Sequence, residues 1–123
     1  VSSHLETGTM NMIGITGLHA SLEYMREIGF DTIYNEIGGL SDYLIDRIKM
    51  NDKVHLLTPD DARHKAGIVT FSLSNGDPEE IIDKMGKRSI TISVRQGFIR
   101  ISPHFYNTFE ELDLMLEILT REI

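Results

Sequence analysis

Two arginines stand close together in "SVRQGFIRISPHFYNTFEELD", residues 93–113. If Gln96-Gly97 is the two-residue turn of a β-hairpin, Arg95 faces Phe98, Val94 faces Ile99, Ser93 faces Arg100 and Ile92 faces Ile101. Directly opposed residues share a face of a sheet. Ile92, Val94, Ile99 and Ile101 then make an apolar face, and Thr91, Ser93, Arg95, Arg100 and Ser102 a polar one. Arg95 and Arg100 become diagonal neighbours, with β-carbons roughly 7 Å apart. Two guanidiniums at that range repel unless an anion sits with them, and each offers a planar fork that matches a carboxylate bidentately. The spacing leaves two readings open. Either the pair forms a small-carboxylate site, or acids of the following segment, such as Glu110, Glu111 or Asp113, neutralise it internally.

The elements that must position this pair can be read from periodicity. Ile15, Leu18, Leu22 and Met25 recur at helical spacing and Gly29 follows as a stop, which predicts a helix over about residues 12–28. Asp31 is placed to cap a second helix carrying Ile33, Ile37, Leu40, Leu44 and Ile48. Gly38-Gly39 inside it costs on the order of 1 kcal/mol per glycine relative to alanine, so a bend is expected there. Val54–Leu57 is a short strand candidate, and Ala66–Leu73 alternates as a strand. In "NGDPEEIIDKMG" Asp77 is the N-cap, Pro78 the first helical residue, and Gly86 the end. Ile90–Arg95 and Phe98–Ser102 alternate. Thr108-Phe-Glu-Glu111 is a capping box ahead of the stripe Leu112, Met115, Leu116 and Leu119. The order ααββαββα predicts an α+β fold: a small, mainly antiparallel sheet with helices packed on one side, the Met and Leu stripes forming the core.

The bulk numbers narrow the class of function. A chain of 123 residues predicts one domain, and 41% hydrophobic with 25% charged residues is globular composition. The net charge of -7 argues against a nucleic-acid surface. No apolar run reaches the ~18 to 20 residues of a membrane span. The absence of cysteine removes disulfides, thiolate metal sites and any thiol nucleophile from this chain and permits a cytoplasmic location. The start, "VSSHLETGTMNM", is not a secretory signal and reads as part of a longer chain. His4, His19, His55, His64 and His104 show no metal-ligand spacing, and no metal site is expected. His104, just after the arginine strand, can approach it. Tyr106 and Asn107 are expected to anchor the turn before the capping box. Gly8, Gly14 and Gly17 are wrongly spaced for a dinucleotide loop.

"ETGTMNMIGITGLHASLEYMREIG", "KAGIVTFSL" and "SVRQGFIRISPHFYNTFEELDLMLEIL" together resemble, in order and spacing, segments of the class V aminotransferases. That family includes cysteine desulfurases, selenocysteine lyases and isopenicillin N epimerase-like enzymes. The resemblance implies a fold-type I subunit using pyridoxal 5′-phosphate (PLP), normally a homodimer with the active site at the subunit interface. This chain is then its C-terminal domain, with residues 1–11 leading to the dimer interface. The resemblance makes Arg100 the substrate α-carboxylate arginine and Arg95 a second arginine near the substrate. It makes Gly8 and Thr9 the pair that reaches the cofactor phosphate of the partner subunit. Free N–H groups before a helix start suit that phosphate. Asn11 is either conformational or site-lining. The Schiff-base lysine is implied to lie upstream: none of Lys49, Lys53, Lys65, Lys84 and Lys87 matches its position, so residues 1–123 alone are expected to be inactive. Where cysteine desulfurases carry a nucleophilic cysteine in a loop between the two arginine motifs, "RQGFIR" closes the gap with a tight turn, which disfavours a desulfurase using a cysteine of this segment. The competing reading is a non-catalytic domain that binds small carboxylates or a protein partner.

Overall fold

A computed structural model of the chain describes residues 8, 10–59, 61 and 66–123. Among these the elements are α1 (Met12–Ile28), α2 (Phe30–Lys49), β1 (Val54–Leu56), β2 (Val69–Leu73), α3 (Pro78–Gly86), β3 (Ser93–Arg95), β4 (Phe98–Ile101) and α4 (Phe109–Glu122), the expected order. The chain divides into two units, residues 1–33 and 34–123.

In residues 34–123 the strands form one antiparallel sheet in the order β1-β2-β4-β3. Its inner face is a row of alternating apolar residues: Val54 from β1, Val69 and Phe71 from β2, Ile99 and Ile101 from β4. Leu40, Leu44, Ile45 and Ile48 of α2, Ile81 and Met85 of α3, and Leu112, Met115, Ile118 and Leu119 of α4 join the same cluster. All three helices of this unit therefore cover one face. Each such side chain, fully buried, contributes about 1.5–3 kcal/mol. The strand alternation that fills this core leaves the other face polar.

Local chemistry sets the ends. Asp77 accepts a hydrogen bond from the Glu79 N–H at 3.0 Å to start α3. At α4 the Thr108 hydroxyl accepts from the Glu111 N–H at 3.3 Å, and the Glu111 carboxylate accepts from the Thr108 N–H at 3.0 Å, so the capping box is formed. β2 is shorter than expected because Gly67 has φ +58°, which breaks the extended run before Val69. Ile90 and Ile92 precede β3 rather than belonging to it, yet both pack against the core.

Two expectations change. Asp31 is not the cap of α2. Gly29, at φ +98°, donates its N–H to the Met25 carbonyl and accepts from the Ile33 N–H, so it ends one helix and begins the next, leaving Asp31 in the first turn. α2 runs through Gly38-Gly39 as a single helix of 20 residues. The apolar stripe of α1 is not core: no residue of α1 is buried. Within residues 1–33 the only other described element is the first turn of α2, which offers no surface to cover it.

Candidate functional site: an arginine row on the open sheet face

The β3–β4 hairpin turns at Gln96 (φ 54°) and Gly97 (φ 82°). Two central residues with positive φ are the mark of a type I′ turn, whose twist matches that of the flanking strands. The register follows: Ser93 opposite Arg100, Val94 opposite Ile99, Arg95 opposite Phe98. On its other side β4 pairs with β2, setting Thr70 opposite Arg100. Arg100 thus sits on an inner strand, in a row running Ser93–Arg100–Thr70 across three strands. Its chain neighbours Ile99 and Ile101 are buried in the core. A one-residue slip would drive a guanidinium into that core, so the core pins Arg100 to the open face.

The row is lightly built. Ser93 donates its hydroxyl to the Arg100 carbonyl at 3.4 Å. Thr70 is held through its N–H, which donates to the Thr58 hydroxyl at 2.8 Å. Arg100 is half-buried and Arg95, one diagonal away, is exposed.

The acids that could have neutralised the pair are engaged elsewhere or face away. Glu111 accepts from Asn107 Nδ2 at 3.1 Å and from the Thr108 N–H, and these bonds, the Asn107 one foremost, hold its carboxyl below the ordinary glutamate range. Asp113 accepts from the Tyr43 hydroxyl at 2.6 Å. Both belong to α4, which packs on the apolar face of the sheet, and so does Glu110. Among the described residues no carboxylate forms an ion pair with Arg95 or Arg100. The guanidinium of Arg100, carried on a row between a serine and a threonine, can grip a planar carboxylate through two parallel N–H···O bonds.

After β4 the chain turns through Ser102–Asn107. His104 donates its N–H to Asn107 Oδ1 and accepts the Asn107 N–H through its carbonyl, both at 2.8 Å. Asn107 anchors this turn as expected, while Tyr106 is exposed and stacks on the His104 ring at 4.8 Å. His104 Nδ1 is buried without a partner. Asn11 has a conformational role: it caps α1, its side chain accepting from the Gly14 N–H at 2.9 Å. A Cβ on Gly14 would come within 2.6 Å of that amide, so glycine is what admits the cap. Gly8 is exposed, whereas Thr9 and Lys65 lie outside the described residues. Among the described residues no three His, Cys, Asp or Glu side chains cluster as metal ligands, and no helix is long and apolar enough to cross a membrane. Ser41, buried on α2 with an unpartnered hydroxyl, was not singled out by the sequence. A helix-interior serine gives no signal of what it will face.

A family model, Aminotransferase class-V, matches residues 1–115. A protein of Methanothermobacter thermautotrophicus named "Probable cysteine desulfurase" is 30% identical over 93% of this chain and 32% of its own length. A "Cysteine desulfurase" of Synechococcus elongatus is 29% identical over 97% of the chain and 21% of its own length. The chain therefore spans about a third or less of these curated relatives. Among solved structures, the apo cysteine desulfurase from Thermococcus onnurineus NA1 superposes with a TM-score of 0.86 at 24% identity, over 96% of this chain and 32% of that one. The cystine C–S lyase C-DES, in complex with its product cysteine persulfide, gives a TM-score of 0.72 at 26% identity, over 84% of this chain and 28% of that one. The α+β arrangement is thus the one seen in cysteine desulfurase structures, and the chain belongs to the aminotransferase class-V family.

Proposed function

We propose that this chain is the C-terminal part of a PLP-dependent homodimeric enzyme acting on a small amino acid, and that Arg100 grips the α-carboxylate with Arg95 in support. The observation that carries the reading is the Arg100 fork itself. It is fixed by the core on an inner strand, flanked by Ser93 and Thr70, and lacks an acid partner among the described residues. Family membership supports PLP, and a C-DES structure with glycine covalently linked to PLP lies among the neighbours at 25% identity.

The described residues fit a share of that cofactor's site. Gly8 is exposed and a Cβ there would meet nothing within 4 Å, so its backbone is open to a phosphate. Thr9 beside it would add a hydroxyl. In this reading the covalent anchor is a lysine upstream of these residues, since none of Lys49, Lys53, Lys65, Lys84 and Lys87 matches the position that the family resemblance implies. PLP, when bound, draws electrons from the substrate α-carbon. The contribution of Arg100 is orientation: a two-point hold on the carboxylate fixes which α-bond is presented.

With no cysteine in residues 1–123, this segment forms no persulfide on itself. The absence, and the lyase among the structural neighbours, favour a lyase-, epimerase- or aminotransferase-type reaction. In the full-length enzyme, Arg100→Ala should weaken amino-acid binding by roughly 10- to 200-fold, the worth of a charged hydrogen-bonding pair, and leave cofactor retention intact. Unchanged substrate affinity would sink the role. Thr9→Ala should instead release PLP faster on dialysis, and unaltered retention would remove it from the phosphate site.

A further inference from the structure

Arg100 has four near neighbours on the open face of the sheet. Ser93 and Thr70 lie opposite it on the flanking strands. Phe98 precedes it by two residues, and Ser102 follows it by two, just past the end of β4. Three of the four are small and carry a hydroxyl; the fourth is an aromatic ring. Alternation fixes that placement: Ile99 and Ile101 are buried in the core, so Phe98 and Arg100 share the other face. Two residues of an antiparallel strand span about 7 Å, which sets the ring beside the guanidinium.

Nothing described in the fold accounts for this ring. Phe98 is half-buried, but it stands outside the apolar cluster that holds the helices to the sheet. Arg95 lies directly opposite it. Yet among the described residues neither Arg95 nor Arg100 stacks on it, and no other aromatic ring meets it. Threonine shares the strand preference of phenylalanine, so the strand itself does not call for an aromatic. A lone apolar side chain on a surface is ordinary. What distinguishes this one is its place, between the two arginines of the hairpin.

A carboxylate in the Arg100 fork has hydroxyl-bearing residues on three sides and an apolar one on the fourth. The ligand that matches carries an apolar group a few bonds from its carboxylate. In an amino acid that group is the side chain, since the amino group is the one that PLP engages. We propose that Phe98 sets the specificity of this site: its ring takes the substrate side chain while Arg100 holds the carboxylate. The preferred substrate is then an amino acid with a compact aliphatic or thioether side chain. This role rests on the carboxylate reading of Arg100 and adds the substrate class to it. Each fully buried CH₂ is worth about fourfold in affinity. One ring covers one side of a ligand, so a leucine side chain gains about tenfold over the methyl group of alanine.

Full-length protein is titrated with leucine and with alanine, and the ratio of the two affinities is compared between wild type and variants. Wild type should bind leucine about tenfold tighter. Phe98→Thr and Phe98→Ala, two truncations of different strand preference, should bring the ratio to near unity with the alanine affinity unchanged. Phe98→Leu should keep most of it. A ratio near unity in the wild type overturns the role of Phe98, and so does a tenfold ratio that survives truncation, whether or not both affinities fall together. Arg100→Ala tests the reading beneath it: both amino acids should weaken alike, and affinities unmoved in that variant would overturn the grip whatever the ratio.

Discussion

Replacing Gly38 and Gly39 by alanine should make this protein more stable. In a helix interior each Gly→Ala change gains about 0.8–1.0 kcal/mol, provided the methyl group has room. Here it has: a Cβ at either position meets no atom within 4 Å outside its own helix backbone. Adjacent helix positions do not face each other, so the two gains should add to about 2 kcal/mol. α2 anchors the core of residues 34–123 through Leu40, Leu44, Ile45 and Ile48. For a domain of that size each kcal/mol moves Tm by about 4–8 °C, so the double variant should melt roughly 8–16 °C higher. The assay is thermal unfolding followed by far-ultraviolet circular dichroism, with urea unfolding to confirm an unchanged m-value. An unchanged or lowered Tm in both single variants would show that the glycines are needed by the packing of this chain, and the reasoning would fail.

Gly67→Ala should do the opposite and destabilise by about 1–3 kcal/mol. It combines φ +58° with a Cβ only 2.6 Å from Ile37 Cγ2; a neutral result in the same melt would contradict the geometry. Thr108→Ala should cost about 1 kcal/mol by leaving an α4 N–H without its acceptor, read as a lower urea midpoint. Glu111 gives a pH test. Its folded carboxyl lies below the ordinary glutamate value because Asn107 and the Thr108 N–H bond it. Its stabilisation is therefore complete above that ordinary value, about 4.3, and is lost as pH falls toward the depressed folded one. The Tm gap between wild type and Glu111→Gln should shrink on going from pH 7 to pH 3, and a constant gap would refute the assignment.

Features set by neighbouring residues were legible in the sequence. Gln96-Gly97 between alternating runs gave the hairpin and its register, because a two-residue turn fixes which residues oppose and the alternation then puts Val94, Ile99 and Ile101 on one face. Asp77 and the Thr108–Glu111 box marked helix starts by bonds spanning two or three residues. What depended on distant partners was not legible. The stripe of α1 has helical spacing, but spacing cannot say whether a facing surface exists within the chain. The choice between an internal ion pair and a free arginine pair turned on which layer α4 joins, a tertiary fact that placed Glu111 and Asp113 behind the sheet. Ser41 and His104, 63 residues apart, both line one cavity only because the fold brings α2 and the turn after β4 together.

The central claim is that Arg100 recognises a carboxylate, and a two-by-two comparison tests it most directly. The affinity of full-length protein is measured for an amino acid it binds and for the matching amino-acid amide, in wild type and in Arg100→Ala. Wild type should prefer the acid by roughly 10- to 200-fold, and the preference should collapse to near unity in the variant. An acid preference of equal size in both proteins would assign the carboxylate to another residue.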